Sequence, residues 1–172
     1  MTTRPLRILT VCLGNICRSP TAEAAIRQAA DDAGVALTVR SAGTGSWHLG
    51  DPPDARMRAA GAEVGLAIDG IAARIEALAM AEADLIVAMD RSNLADLQQV
   101  AASGDIDTPI VLFRDFDPDG PPGAEVPDPY YGGADGFAEV VAICRRTASA
   151  LVEALADGDV ADALARRGPA RS

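Results

Sequence analysis

Cys12 and Arg18, separated by five residues, are the pair in this chain best suited to work on one substrate atom together. A thiolate can attack, while a planar guanidinium can hold two oxygens of a tetrahedral anion, which a lysine point charge cannot. The intervening Leu13-Gly14-Asn15-Ile16-Cys17 is short enough to curl into a cradle whose backbone N–H groups converge on that anion. A helix starting at Ser19 and Pro20 adds partial positive charge from its N-terminus. Gly14 frees the backbone where it must turn, and Asn15 tolerates left-handed angles. In these surroundings the Cys12 thiol is expected to ionise below its ordinary value of about 8.5, with the Ser19 hydroxyl donating to the sulfur. The chemistry predicted is nucleophilic attack on a bound phosphate.

Asp128 is the third candidate. Asp-Pro pairs mostly mark turns, and the chain has three, at Asp51, Asp117 and Asp128. Asp128 differs because Pro127 and Pro129 stiffen it on both sides and Tyr130 and Tyr131 follow. A carboxyl held against an aromatic, partly desolvated wall would have a raised pKa, as a general acid requires. Cys17 lies close enough in sequence to form a reversible disulfide with Cys12 that protects the nucleophile. The competing reading is a buried thiol without redox function. Cys144 falls on an apolar helical stripe and is read as core. His48 is read as a solvated loop residue.

These residues need a scaffold, and the pattern supplies one. Leu6–Val11 reads as a strand buried on both faces, and the following helix places Ala22, Ala25, Ile26, Ala29 and Ala33 on one side before stopping at Gly34. Leu37–Ser41 is the next strand, so strand, helix and strand form a right-handed crossover with the loop at the carboxyl end of the first strand. Residues 42–53 are a surface loop carrying Trp47. Helical patterns cover 54–65 and 71–80, strands 84–89 and 108–113, and a helix capped by Asp90 or Ser92 runs to about 102. A long irregular loop over 114–136 precedes the most regular helix, 136–156. The fold class is α/β, three layers with a four-stranded parallel sheet and helices on both faces. Residues 1–156 form a single domain, and 157–172 are a C-terminal extension, a short helix or flexible tail.

Composition narrows the function. A length of 172 residues, 49% hydrophobic, suits one substantial core. The net charge of −10 disfavours nucleic acid and anionic membrane as partners, so an anionic substrate must be attracted locally, by Arg18 and by whichever of Arg27, Arg40 and Arg56 lies near. No run approaches a membrane helix or a signal-peptide core, which points to the cytoplasm, export by another route aside. Three cysteines form no paired framework or metal spacing, and one histidine leaves little for a metal site. No cofactor and no metal are expected.

Val11-Cys12-Leu13-Gly14-Asn15-Ile16-Cys17-Arg18-Ser19-Pro20, with Ser41-Ala42-Gly43-Thr44-Gly45, Met89-Asp90 and Asp128-Pro129-Tyr130-Tyr131, resembles the low-molecular-weight protein tyrosine phosphatases of bacterial type over about residues 6–156. The resemblance implies the flavodoxin-like phosphotyrosine phosphatase I fold and hydrolysis through a cysteinyl-phosphate. Cys12 is the nucleophile, Arg18 and the backbone of residues 13–18 bind phosphate, Asp128 is the acid and base, and Ser19 eases departure of the sulfur. Trp47, Tyr130 and Tyr131 line the substrate cleft. It implies a phosphotyrosine protein as partner, a tyrosine kinase upstream, and a monomer. A related branch acts on phosphoarginine and carries Thr where this chain has Ile16. A non-catalytic phosphate-binding or phosphotyrosine-binding module is the alternative from another class. Arsenate reductases share the loop but need resolving cysteines near 80–90 that this chain lacks. Relatives often brace the loop asparagine with a histidine near Gly70. This chain has none there, which leaves Ser41 as the expected brace.

Overall fold

The apolar stretch that opens the chain becomes an inner strand because both of its faces are covered. In a computed structural model, which describes residues 4–130 and 133–166, β1 (Leu6–Cys12) is flanked by β2 (Leu37–Gly43) and β3 (Leu85–Ala88), with β4 (Ile110–Leu112) beyond β3. All three pairings are parallel, in the order β2-β1-β3-β4. Ile8, Leu85 and Val87 face one layer and Leu9, Val11, Ile86 and Ala88 the other, each set in its own apolar cluster. Alternation thus persists in direction although it is invisible in polarity, as expected of a sheet covered on both sides.

The first layer is built by α1 (Arg18–Ala33) and α5 (Ala134–Ala156), which pack on each other and bury Ile26, Phe137, Val141, Ala148 and Leu151. Gly34, at φ +69°, ends α1 in the left-handed conformation and donates its N–H back to the last turn. α2 (Ala55–Ala62) also packs on α5. The second layer is α4 (Arg91–Gly104), with α3 (Ala77–Glu82) beside it. A short α6 (Val160–Arg166) lies on α5, burying Ala163 and packing Val160 and Leu164 against the first cluster.

One expected element is different. The helical pattern over 71–80 forms a helix only from Ala77. Residues 72–75 are extended instead. Gly43 donates its N–H to Ala73 O and accepts from Ile75 N, each at 2.8 Å, and Ala72 accepts from Gly50 N at 2.9 Å and donates to Asp51 O at 2.8 Å. Local alanine propensity lost to backbone pairing with the end of β2. Gly43 also lets the Cys12 loop pack against this strand end, since a Cβ there would come within 2.7 Å of Leu13 O and 3.2 Å of Asn15. The pairing matters because it brings residue 73 behind the Cys12 loop.

Candidate active site

The loop from Cys12 to Arg18 leaves β1 and enters α1 with its carbonyls drawn outward into the scaffold. Cys12 O accepts from Thr44 N, Leu13 O from Gly45 N, Ile16 O from Asp54 N, and Cys17 O from both Thr21 N and Thr21 Oγ1, all between 2.7 and 3.2 Å. Pulling acceptor oxygens away from the centre makes the interior of the loop electropositive. Thr10 Oγ1 donates to Ser19 O at 2.9 Å, locking β1 to the first turn of α1.

Cys12 is buried at the floor of a cleft of about 420 Å³. Its sulfur accepts from Asn15 N at 3.2 Å and lies 3.0 Å from Ser19 Oγ. Asn15 Nδ2 donates to the same Ser19 Oγ at 2.8 Å, so the hydroxyl proton is directed toward the sulfur, with Ala42 O a longer alternative at 3.4 Å. Asn15 has φ +58°, the left-handed angle expected of it. Gly14 serves a different purpose from the one its type suggested. It has no positive φ, and a Cβ on it would meet His48 Cδ2 at 3.1 Å, so it is small to let the 43–54 loop close down.

Asn15 is not braced by Ser41. Ser41 Oγ donates to Glu23 at 2.8 Å, while Asn15 Oδ1 accepts from the peptide N–H of Ala73 at 2.9 Å. The extended 72–75 segment therefore supplies from its backbone a bond expected from a side chain. Because Asn15 is almost wholly buried, both ends of its amide must be satisfied, and they are.

Arg18 is 4% exposed, an unusual state for a guanidinium. Nη1 donates to Asp90 Oδ2 at 2.6 Å and to Val126 O at 3.2 Å, and Nη2 stands 3.5 Å from Asp128 Oδ2. Burial works against its charge, but Cys12, Asp90 and Asp128 outweigh this and hold its pKa above the ordinary arginine value. Asp90 does what its helix-capping reading predicted, accepting from Asn93 N at 2.7 Å, and its second oxygen also fixes Arg18. The second role joins residues 72 positions apart. The local pattern Met-Asp-x-x-Asn carried only the first.

Asp128 sits at the mouth, its Oδ1 accepting from Tyr130 N at 3.1 Å. Its side chain is 46% exposed, with Tyr130 half-buried two residues on. Tyr131 lies outside the described residues. Leu13, Ile16, Cys17, Trp47, His48 and Tyr130 complete the lining. Trp47 is 73% exposed, its ring laid over Gly45, where a Cβ would fall 2.0 Å from the indole. His48 is no bystander: its ring meets Tyr130 at 5.8 Å between centroids and Nδ1 lies 3.5 Å from Asp51.

The other cysteines remain thiols. Burial, then the charges of Asp54, Cys12 and Asp128, push Cys17 up to about 12, and burial also raises Cys144 inside the core. Of the arginines expected near the site, only Arg56 reaches it. It forks onto Asp54, donates to Tyr130 O at 3.1 Å, and lies 4.7 Å from the centre of the Phe137 ring. Arg27 is spent on Glu23 and Val39 O.

A cysteine at the floor of a cleft, in a loop between a parallel strand and a helix, facing a buried arginine and a half-exposed carboxylate, has the parts that a cysteine-dependent phosphatase site needs. The family model for low molecular weight phosphotyrosine protein phosphatase matches residues 7–160. A low molecular weight protein-tyrosine-phosphatase of Streptomyces coelicolor is 40% identical over 87% of this chain and 93% of its own length. The human low molecular weight phosphotyrosine protein phosphatase is 36% identical over 85% and 93%. The crystal structure of the Entamoeba histolytica protein tyrosine phosphatase superposes with a TM-score of 0.81 at 35% identity, covering 88% of this chain and 97% of that one. The chain belongs to the low molecular weight phosphotyrosine protein phosphatase family.

Proposed function

We propose that this protein hydrolyses phosphotyrosine in proteins in two steps. Cys12 Sγ attacks phosphorus in line; Arg18 and the loop N–H groups take the equatorial oxygens; Asp128 gives its proton to the departing tyrosyl oxygen. The cysteinyl-phosphate is then hydrolysed by water, with Asp128 accepting a proton and Ser19 Oγ donating to the sulfur as it leaves. The observation that carries this reading is the Cys12 sulfur held by Asn15 N and Ser19 Oγ in a loop whose Cys12, Leu13, Ile16 and Cys17 carbonyls are bonded to the surrounding scaffold. A phosphotyrosine protein, produced by a tyrosine kinase and met by a monomer in the cytoplasm, fits the acidic chain, which has no helix long and apolar enough to cross a membrane among its described residues.

Cys17 has a separate role in this reading. Peroxide converts the Cys12 thiolate to a sulfenic acid; the Cys17 sulfur displaces its hydroxyl as water, leaving a Cys12–Cys17 disulfide that external thiol reduces. Peroxide inactivation should therefore be reversed by thiol in the native chain and become irreversible in Cys17→Ser.

The function is tested by phosphate release from phosphotyrosine and phosphoarginine peptides with chelator and reductant present. The native protein should turn over phosphotyrosine and Cys12→Ser should not. Preference for phosphoarginine would keep the nucleophile and overturn the substrate; no turnover of either would favour a binding module.

A further inference from the structure

Leu49 and Ile71 are large, apolar and 53% and 71% exposed, and they lie on two stretches that are hydrogen-bonded to each other. Gly50 N donates to Ala72 O at 2.9 Å and Ala72 N to Asp51 O at 2.8 Å, so each apolar residue directly precedes a member of this linked pair. Leu49 is two positions from Trp47, itself 73% exposed and on the cleft wall. Single exposed apolar residues are unremarkable, but three carried by two stretches that are hydrogen-bonded to each other, the first of them on the cleft wall, place an apolar edge next to a substrate site.

Charge selects the occupant. Among the described residues that line the cleft, Arg18 is the one permanent cation, and it is buried and engaged with Asp90 and Asp128. Arg56 beside it is forked onto Asp54. Arg56 is itself half exposed but matched by Asp54, and the other exposed charges at the mouth are Asp51 and Asp128. Acidic residues flanking a phosphotyrosine would meet carboxylates there and no free guanidinium.

We infer that the Trp47–Leu49–Ile71 edge docks the substrate segment next to the phosphotyrosine, and that this segment carries large apolar residues and lacks acidic ones. This rests on the phosphotyrosine reading above and adds its sequence preference. Tyrosine in the cleft fixes the segment's position, and a leucine or isoleucine a few residues away covers Leu49 and Ile71, a contact made by apolar burial rather than by ion pairing.

The test compares kcat/KM for three phosphotyrosine peptides whose flanks are Leu and Ile, Ala, or Glu, in the native protein and in L49A/I71A, with p-nitrophenyl phosphate as a measure of the catalytic centre. The apolar peptide should exceed the alanine one by about tenfold, a factor that partial burial of an aliphatic side chain or two supplies, and the glutamate peptide should be poorest. L49A/I71A should abolish the apolar advantage and leave p-nitrophenyl phosphate turnover as it was. Equal rates for apolar and alanine flanks, or an advantage that survives L49A/I71A, would overturn the docking edge while leaving the phosphatase intact. A concentration-dependent dimer dissolved by L49A/I71A would reassign the edge to a second copy and overturn it too. If the native protein turns over p-nitrophenyl phosphate but no phosphotyrosine peptide, the underlying reading fails instead.

Discussion

The two loops that meet at the carboxyl end of the sheet are built on opposite plans. The Cys12–Arg18 loop is buried apart from Leu13 and Gly14, and its polar atoms are cross-braced from β1, the 43–45 segment, residue 73 and Asp54. The loop that carries Asp128 is long and its carboxyl is half exposed; it is fastened at a few points by charge. Asp117, buried, takes Arg146 at 2.7 Å and Arg114 at 2.9 Å; Arg114 also donates to Glu125 O, Val126 N to Met89 O, and Arg56 to Tyr130 O. On the proposed mechanism the contrast is chemical. An oxyanion hole works by being organised before charge develops, so rigidity there lowers the barrier. A general acid must admit a protein substrate and then reach its leaving oxygen, so it belongs on a tethered but open segment.

This comparison can be broken at either loop. Asp128→Asn should lower kcat on aryl phosphates with poor leaving groups by about 10²- to 10³-fold, and much less on those with good ones, because only the former need the proton. A loss independent of leaving group would make Asp128 a structural residue. Next in size, Asn15→Ala removes an amide satisfied at both ends and forces Ala to φ +58°; it should cost roughly 2–4 kcal/mol in urea unfolding and reduce kcat/KM by more than tenfold. Full activity in that variant would show that the phosphate loop holds its own shape.

The acid loop's fastening is tested by Asp117→Asn. Desolvation opposes the charge of Asp117, but Arg146, Asp119 N and Arg114 outweigh it and hold the carboxyl at about 2. Its folded pKa is below the unfolded one, so its stabilisation, about 2 kcal/mol, is present above pH 4 and fades as pH falls towards 2. The stability gap between native and Asp117→Asn should close over that window; a gap that persists below it would assign the effect to packing. The smallest change is expected from Arg56→Lys, which loses the fork onto Asp54 and the bond to Tyr130 O. A few-fold fall in kcat, greater for poor leaving groups, is predicted, since a lysine cannot make both contacts.

How legible these loops were follows from their plans. The phosphate loop is chemistry written in consecutive residues, so Cys12, Arg18, Ser19 and Asn15 could be read together with the strand before and helix after them. What braces that loop comes from far along the chain: Ala73 through a backbone N–H that any residue could provide, and Asp90 through a second carboxylate oxygen that helix capping does not reveal. The 71–76 stretch looked helical because alanine-rich segments do, and the pairing with Gly43 that overrides this leaves no local mark. Nothing in Ser-Trp-His-Leu indicates that Gly14 is small to make room for the His48 ring. Asp128 stood out by its prolines, yet its exposure depends on how the whole loop is tied down.

The central claim is that Cys12 carries the phosphoryl group, and the most direct measurement is to quench turnover of a phosphotyrosine peptide in acid and weigh the fragment containing Cys12. A transient addition of one phosphoryl group to Cys12 is predicted in the native protein, and none in Cys12→Ser. Phosphate release by Cys12→Ser, or a phosphoryl group carried on any other residue, would contradict the account.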